Sequence, residues 1–148
     1  MSKHWQELES AYRKTSYWLL EGLVESDRVM VLRVDEPCPE GFFKLVAGKP
    51  WALLTSCNPG SMPLDTESNA LLYRKLRDRV AAEGLQHLAA VGVELEVGWM
   101  EPMLLVWPLE LSDALVFAKT LGQRAILAEK PGESDCSEGL VGLFYTEE

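Results

Sequence analysis

The sequence predicts an α+β fold, in which a mainly antiparallel sheet has two or three helices packed on one face. Three observations predict it. Strand-like apolar segments come in neighbouring groups separated by short polar breaks, as in hairpins. Segments with helical spacing interrupt these groups. No series of βαβ units with a glycine-rich first turn is present in the sequence. A parallel crossover through the second helix stays open as an alternative.

The N-terminal part predicts one helix and a hairpin. A helix capped by Ser2 has its apolar residues at helical spacing. Residues 15–24 and 29–34 are rich in β-branched, aromatic and aliphatic residues, which favours two strands. The polar break between them predicts an antiparallel hairpin. After a loop rich in Pro and Gly, residues 42–46 predict a further short strand.

The middle of the chain predicts a strand, a loop and a helix. Residues 51–55 are apolar enough for a central strand, and residues 56–63 form a turn-rich loop. Asp65 or Thr66 caps a second helix, which Gly84 ends. We therefore expect the loop to lead directly into a helix N-terminus.

The segment after the second helix predicts strands. Residues 85–91 form one, and from 91 to 99 apolar and polar residues alternate strictly, which predicts an apolar face and a solvated polar face carrying Glu94 and Glu96. Glu101-Pro102 predicts a break, followed by a strand over 103–107.

The C-terminal part predicts one more helix and two strands. The helix begins at Ser112 and ends at Gly122. Residues 125–128 predict a strand, and the apolar residues between 140 and 145 predict a last one. One domain over 1–148 is the economical expectation, with 129–148 as a partly mobile acidic segment.

Composition excludes several classes of function. The chain has 148 residues, of which 23 are acidic and 14 basic, so the net charge is -9. Such a balance disfavours binding to nucleic acid and to an anionic membrane. No apolar run reaches the ~18 residues that cross a bilayer, and the N-terminus lacks a secretory signal, so we expect a cytoplasmic protein.

Cysteine and histidine usage predicts neither disulfides nor a metal. The three cysteines form no CxxC pair, and the two histidines, His4 and His87, lie far apart without ligand spacing around them. We expect no cofactor. Cys57 with His87 is the only nucleophile–base pair that the sequence offers, and an inert buried thiol explains Cys57 better.

The loop after residue 55 is the candidate ligand site. A helix N-terminus that follows an apolar strand attracts polar ligands through its unpaired N–H groups. Asn58, Ser61 and Asn69 add neutral hydrogen-bonding groups, and Pro59 stiffens the loop. The alternative is a tight turn in which the asparagine side chain satisfies its own backbone.

Several segments, in order and with similar spacing over about residues 11–128, resemble a bacterial domain family of unknown function, number 3293. They comprise Ala11-Tyr12, residues 31–34, residues 51–61, Asn69, Glu101-Pro102 and residues 121–127. The resemblance implies no activity. It singles out as polar positions Thr55, Asn58, Ser61, Asn69, Glu101 and Gln123, together with Pro59. Met103 departs from the pattern, which has Ser there.

Three hypotheses follow. Amides, hydroxyls and one carboxylate together recognise amines, sugars or nucleobase edges, so the first hypothesis is a module that binds a small polar metabolite or a nucleotide. The second is a protein-interaction module that uses an acidic surface. The third is a hydrolase or transferase with Glu101 as its acid–base group. No catalytic residue is assigned, because no nucleophile elbow, phosphate-binding loop or metalloprotease motif is present in the sequence.

Overall fold

A computed structural model describes residues 3–20, 29–130 and 139–146. The helices are α1 (Lys3–Lys14), α2 (Phe42–Leu45), α3 (Thr66–Ala82) and α4 (Leu111–Thr120), and a single 3₁₀ turn covers Pro59–Ser61. The strands are β1 (Ser16–Leu19), β2 (Val31–Leu32), β3 (Ala52–Leu54), β4 (Gln86–Glu94), β5 (Trp99–Trp107), β6 (Ala125–Glu129) and β7 (Val141–Tyr145).

The seven strands form one sheet in the order β2-β1-β4-β5-β3-β6-β7, and each neighbouring pair is antiparallel. The predicted α+β class is therefore confirmed. Since β3 and β4 both run antiparallel to β5, they are parallel to each other, and α3 connects them. The crossover through the second predicted helix is present, and α4 makes an equivalent one between β5 and β6.

The sheet curls until its two ends meet. Beyond β2, the Asp35 amide donates to the carbonyl of Val141 (2.7 Å), and the Val141 amide donates to the carbonyl of Glu36 (3.0 Å). A bridge between Pro37 and Leu140 continues this contact. These bonds satisfy backbone groups that an open sheet would leave at its edges. The curled sheet consequently has an inner face and an outer face.

Each face has its own core. The inner core contains Tyr17, Phe42, Trp51, Met103 and Leu105 among others, and α2 contributes to it. The outer core lies between the sheet and helices α3 and α4. Alternation along β5 separates the two, because Met103 and Leu105 point inward while Leu104 and Val106 point outward. The same alternation places Glu101 on the inner face.

The strand predicted over residues 42–46 is wrong, because this segment is the one-turn helix α2. Gly41 precedes it with a φ of 89°, which lets the chain turn sharply into the helix. Phe42 is then buried with its ring edge-on to Trp51, the centroids 4.9 Å apart. Tertiary packing of one aromatic ring has overridden local strand propensity.

The long alternating strand is also wrong, and of its two predicted solvated glutamates only Glu96 is exposed. The chain turns after Glu94, and β5 begins at Trp99. Glu94 is only 7% exposed, because its carboxylate accepts the amides of Glu96 (3.0 Å) and Val97 (3.1 Å) in the turn. Leu95 and Val97, predicted for the apolar face, are 84% and 76% exposed.

The break predicted at Glu101-Pro102 does not occur, since both residues lie inside β5. Strand β3 pairs with β5 only from Leu104 to Val106. Pro102 therefore lies where no β3 residue faces it, and its missing N–H removes no ladder bond on that side.

The predicted first, second and third helices correspond to α1, α3 and α4, and the predicted last strand corresponds to β7. Half of the acidic segment 129–148, namely residues 131–138 and 147–148, lies outside the described residues. Within the described part of the chain, no helix is long and apolar enough to cross a membrane.

Gly122 and Gly84 provide a matched test of the packing beside the loop. Both have a left-handed backbone, with φ values of 73° and 75°. A Cβ at Gly84 meets nothing, whereas one at Gly122 would lie 2.9 Å from Cβ of Pro59. We expect Gly84→Ala to lower the free energy of unfolding by about 1–2 kcal/mol, the usual penalty for a left-handed side chain. Gly122→Ala should lower it further.

Chemical denaturation of the two variants and the wild type measures this difference. Equal losses in both variants would mean that the loop yields to the added methyl group, and would contradict a tight contact between Pro59 and Gly122.

Candidate functional site

A cavity of about 320 Å³ lies at one end of the inner face, and we call it the polar cavity. The cavity is enclosed by helix α1, strand β1, the β4–β5 hairpin, the loop after β3 and the segment after α4. Along β5, the inward-facing row Leu105, Met103, Glu101 passes from the inner core into this cavity. The mouth of a curled or closed sheet is a common position for ligand sites.

The structure brings the predicted site residues together. The residues of that set that line the polar cavity are Thr55, Asn58, Ser61, Glu101 and Gln123. Asn69 does not line it, but bonds to Asn58 from the first turns of α3. Residues as distant as 55 and 123 in sequence thus share one site, although their binding of a ligand stays a prediction.

Asn58 and Asn69 form a reciprocal amide pair. The side-chain oxygen of Asn69 accepts the Asn58 backbone amide (2.9 Å), and its amide group donates to Oδ1 of Asn58 (2.8 Å). The same Oδ1 accepts the backbone amide of Leu64 (2.9 Å). Because Oδ1 of Asn58 accepts both of these hydrogen bonds, the NH₂ group of Asn58 faces the other way. It donates to Oε1 of Glu101, 3.4 Å away.

Thr55 and Gln123 hold the loop from the other side. Oε1 of Gln123 accepts the backbone amide of Thr55 (3.1 Å). The Thr55 hydroxyl donates to the carbonyl of Pro102 (3.0 Å) and accepts the amide of Cys57 (3.1 Å). These bonds attach the loop to β5 and to the segment after α4, so Thr55 has a structural role.

Glu101 is the exceptional group of the cavity. It is 7% exposed, and Asn58 is its one hydrogen-bond partner among the described residues. Burial raises the pKa of its carboxyl from 4.5 to about 7, and the Asn58 bond opposes this shift only in part. The group therefore titrates near neutral pH, where it can change protonation state.

Sequence reasoning missed several residues of the cavity. Tyr12, Tyr17, Glu94, Val97 and Trp99 line it as well. Burial raises the pKa of both tyrosines well above the usual range, and the charge of Glu101 adds to this. Tyr12 lies in a segment that the family resemblance had marked, but nothing in the sequence indicated that α1 would close the end of the sheet.

The Cys57–His87 pair does not form. Cys57 lines the cavity beside the carbonyl of Pro102, whereas His87 lies opposite Val106, toward the other end of β5. Burial raises the pKa of the Cys57 thiol, which disfavours the thiolate. Within the described residues, no cluster of three or more His, Cys, Asp or Glu side chains is arranged to hold a metal ion.

The fold and cavity define a small α+β protein with a polar site at the mouth of a curled antiparallel sheet. A model of the family described as "Protein of unknown function (DUF3293)" matches residues 54–126. The family recognised in the sequence is thereby confirmed over these residues, which include all six predicted site positions.

Another comparison finds a partial similarity. An imidazolonepropionase from Rhizorhabdus wittichii is 35% identical over 81 residues, which cover 48% of this chain and 20% of that protein. The similarity thus spans about a fifth of that relative's length and gives no specific function. No solved structure was found to match the chain.

The pKa of Glu101 predicts a specific dependence of stability on pH. Because the folded-state pKa lies above the unfolded one, the folded protein favours the protonated carboxyl. Glu101 therefore contributes stability that is fully present below pH 4.5 and is lost as the pH rises through about 7. From pH 4.5 to above 7, the free energy of unfolding should fall by roughly 3 kcal/mol relative to Glu101→Gln, at 1.36 kcal/mol per pKa unit.

Urea denaturation at a series of pH values measures this difference, with Glu96→Gln as the control. Glu96 is an exposed glutamate whose side chain is 75% accessible, in the turn beside the cavity. The control should follow the wild type at all pH values. Parallel curves for the wild type and Glu101→Gln would show that Glu101 is solvated and would contradict the buried site.

Proposed function

We propose that the chain is a binding module for a small polar molecule, which occupies the polar cavity. The observation that carries this proposal is a buried carboxyl group, Glu101, which lines a cavity of about 320 Å³ with one described protein partner. A buried polar group with remaining hydrogen-bonding capacity is costly for a fold to keep. A ligand that completes its hydrogen bonds would offset this cost.

The size and lining of the cavity support the proposal. Small-molecule sites usually measure about 300–1,000 Å³ and combine apolar walls with a few placed polar groups. Leu8, Val97 and Trp99 supply apolar surface here, and Asn58 and Glu101 supply polar atoms.

The rigidity of the loop also supports it. The amide of Gly60 donates to the carbonyl of Gly122 (2.7 Å), and the Asn58–Asn69 pair fixes the loop against α3. A site that is already ordered loses little conformational entropy when a ligand binds. In this proposal Thr55 and Asn69 hold the loop, while Asn58 and Glu101 contact the ligand.

The pKa of Glu101 favours a second candidate function, acid–base catalysis. General acids and bases work best when their pKa lies near the operating pH, and that of Glu101 is about 7. Incubation of a bound compound with the protein, followed by NMR, separates the two functions. An unchanged compound indicates a binding module, whereas turnover that Glu101→Gln abolishes indicates an enzyme.

We place this function in the cytoplasm. Cys57, a buried cysteine of the described chain, is a free thiol. Reduced cysteines are typical of a reducing compartment.

A thermal-shift screen of amino acids, amines, sugars, nucleobases and nucleosides tests the proposal. We expect at least one compound to raise the melting temperature, because a ligand that binds only the folded state stabilises it. Binding of that compound should weaken ~10-fold in Val97→Phe, since Val97 lies at the exposed rim and an aromatic ring there would narrow the entrance of the cavity.

Val116→Phe is the matched control. Val116 is 68% exposed, lies on α4, and lines a different groove on the outer side of the sheet. This variant should bind the compound like the wild type. Loss of binding in Val116→Phe with retention in Val97→Phe would move the site to the outer groove and refute the proposal, as would a screen without any stabilising compound.

A further inference from the structure

We infer that the molecule bound in the polar cavity carries a cationic nitrogen, such as a primary ammonium or an amidinium group, on a small apolar body, and that the Glu101 carboxylate is its counter-ion. This inference rests on the proposed function and deepens it by naming the ligand class. It depends on which hydrogen-bond donors and acceptors the cavity has left to offer.

Three of the donors around the cavity, on Thr55, Asn58 and Tyr12, are engaged within the protein. The Thr55 hydroxyl donates to the carbonyl of Pro102, and the Asn58 NH₂ donates to Glu101. The Tyr12 hydroxyl donates to the carbonyl of Ala125 (3.2 Å). An anionic ligand would need such donors, and these three already donate to protein acceptors.

Acceptor capacity, by contrast, is left over on Glu101. An ionised carboxylate accepts about four hydrogen bonds, and among the described residues Glu101 receives one, at Oε1. Glu94, the other carboxylate of the cavity, differs because both of its oxygens accept turn amides. A donor-rich cationic group matches this surplus of acceptors at one carboxylate.

The walls around Glu101 suit the apolar body of such a molecule. Gly92 lies opposite Glu101 in the β4–β5 register. A Cβ there would come within 3.2 Å of the Trp99 ring and 3.3 Å of the Tyr17 ring, so the absence of a side chain lets both rings lie close to the strand. Aromatic rings also attract cations through their faces.

The charge distribution agrees with a cationic ligand. The chain has a net charge of -9, which attracts cations from solution and repels anions. Arg124 is the basic residue among those that line the cavity, and it has an interaction partner within the protein. Glu101 therefore sets the preferred ligand charge in this inference, and an anionic compound is the direct counter-test.

Three compounds that share one ring test the inference on the full chain: benzylamine, benzyl alcohol and benzoate. Isothermal titration calorimetry above neutral pH, where Glu101 is ionised, measures their affinities. We expect benzylamine to bind ~10-fold more tightly than benzyl alcohol, since a hydrogen bond to a charged group is stronger than one between neutral groups. Benzoate should bind most weakly.

The variants separate charge recognition from shape. Glu101→Gln keeps the size of the side chain and should reduce the preference for benzylamine over benzyl alcohol to less than ~3-fold, because only the ion pair is lost. Glu96→Gln removes an exposed carboxylate nearby and should keep the full preference.

The results distinguish the inference from the proposed function. If benzyl alcohol or benzoate binds the wild type as tightly as benzylamine, the inference is wrong while a small-molecule site stands. If the preference persists in Glu101→Gln, another group provides the charge and the inference is equally wrong. If none of the three binds, the inference is also overturned, and the metabolite screen alone decides the proposed function.

Discussion

The burial of one carboxyl group at the end of an inner-facing row of β5 is the constraint on which the rest of the site depends. Met103 and Leu105 precede Glu101 in that row and pack in the inner core. An apolar residue at position 101 would extend this core and close the cavity. The protein instead keeps a carboxyl group at this position. Burial opposes the ionisation of this group and raises its pKa to about 7. Such a local cost, which the rest of the fold offsets, is typical of a functional position.

The loop network is the second part of this arrangement. Asn58 reaches Glu101 only because Asn69 and Leu64 fix the orientation of its amide group. Gln123 and Thr55 fix the same loop from the opposite direction. Of the two interpretations that the sequence left open, the self-satisfied turn accounts for Thr55 and Asn69, and the ligand site stays a proposal that concerns Glu101. Thr55 and Asn69 satisfy the turn, and Glu101 retains hydrogen-bonding capacity toward the cavity.

The sequence predicted the fold class and most elements because their patterns are local. Helix α3 has its cap at Asp65, whose side chain accepts the Ser68 amide, as the sequence indicated. The prediction failed where a distant contact decided the structure. Phe42 joins a one-turn helix to pack against Trp51, and Glu94 turns inward to bind the amides of its own turn. The packing partner of Phe42 and the inward direction of the Glu94 side chain cannot be recognised from a single segment of sequence.

The same reasoning explains how much of the site was predictable. The positions of Asn58, Asn69 and Glu101 followed from their residue types and from the family pattern, but their convergence depends on strand order and on the curling of the sheet. The closure by α1 and the wall formed by Trp99 depend on tertiary packing alone. Sequence could indicate which residues belong to the site and not which of them contact a ligand.

A measurement of the protonation state of the Glu101 carboxyl against pH tests the central claim most directly. Carbon NMR of a glutamate-labelled protein follows the side-chain carboxyl shift with pH, and Glu101→Gln assigns the resonance. We predict a midpoint near 7, accompanied by a change at the same pH in the side-chain amide resonances of Asn58, its hydrogen-bond partner. A midpoint in the range of exposed glutamates, about 4.3, would show a solvated carboxylate and contradict the account.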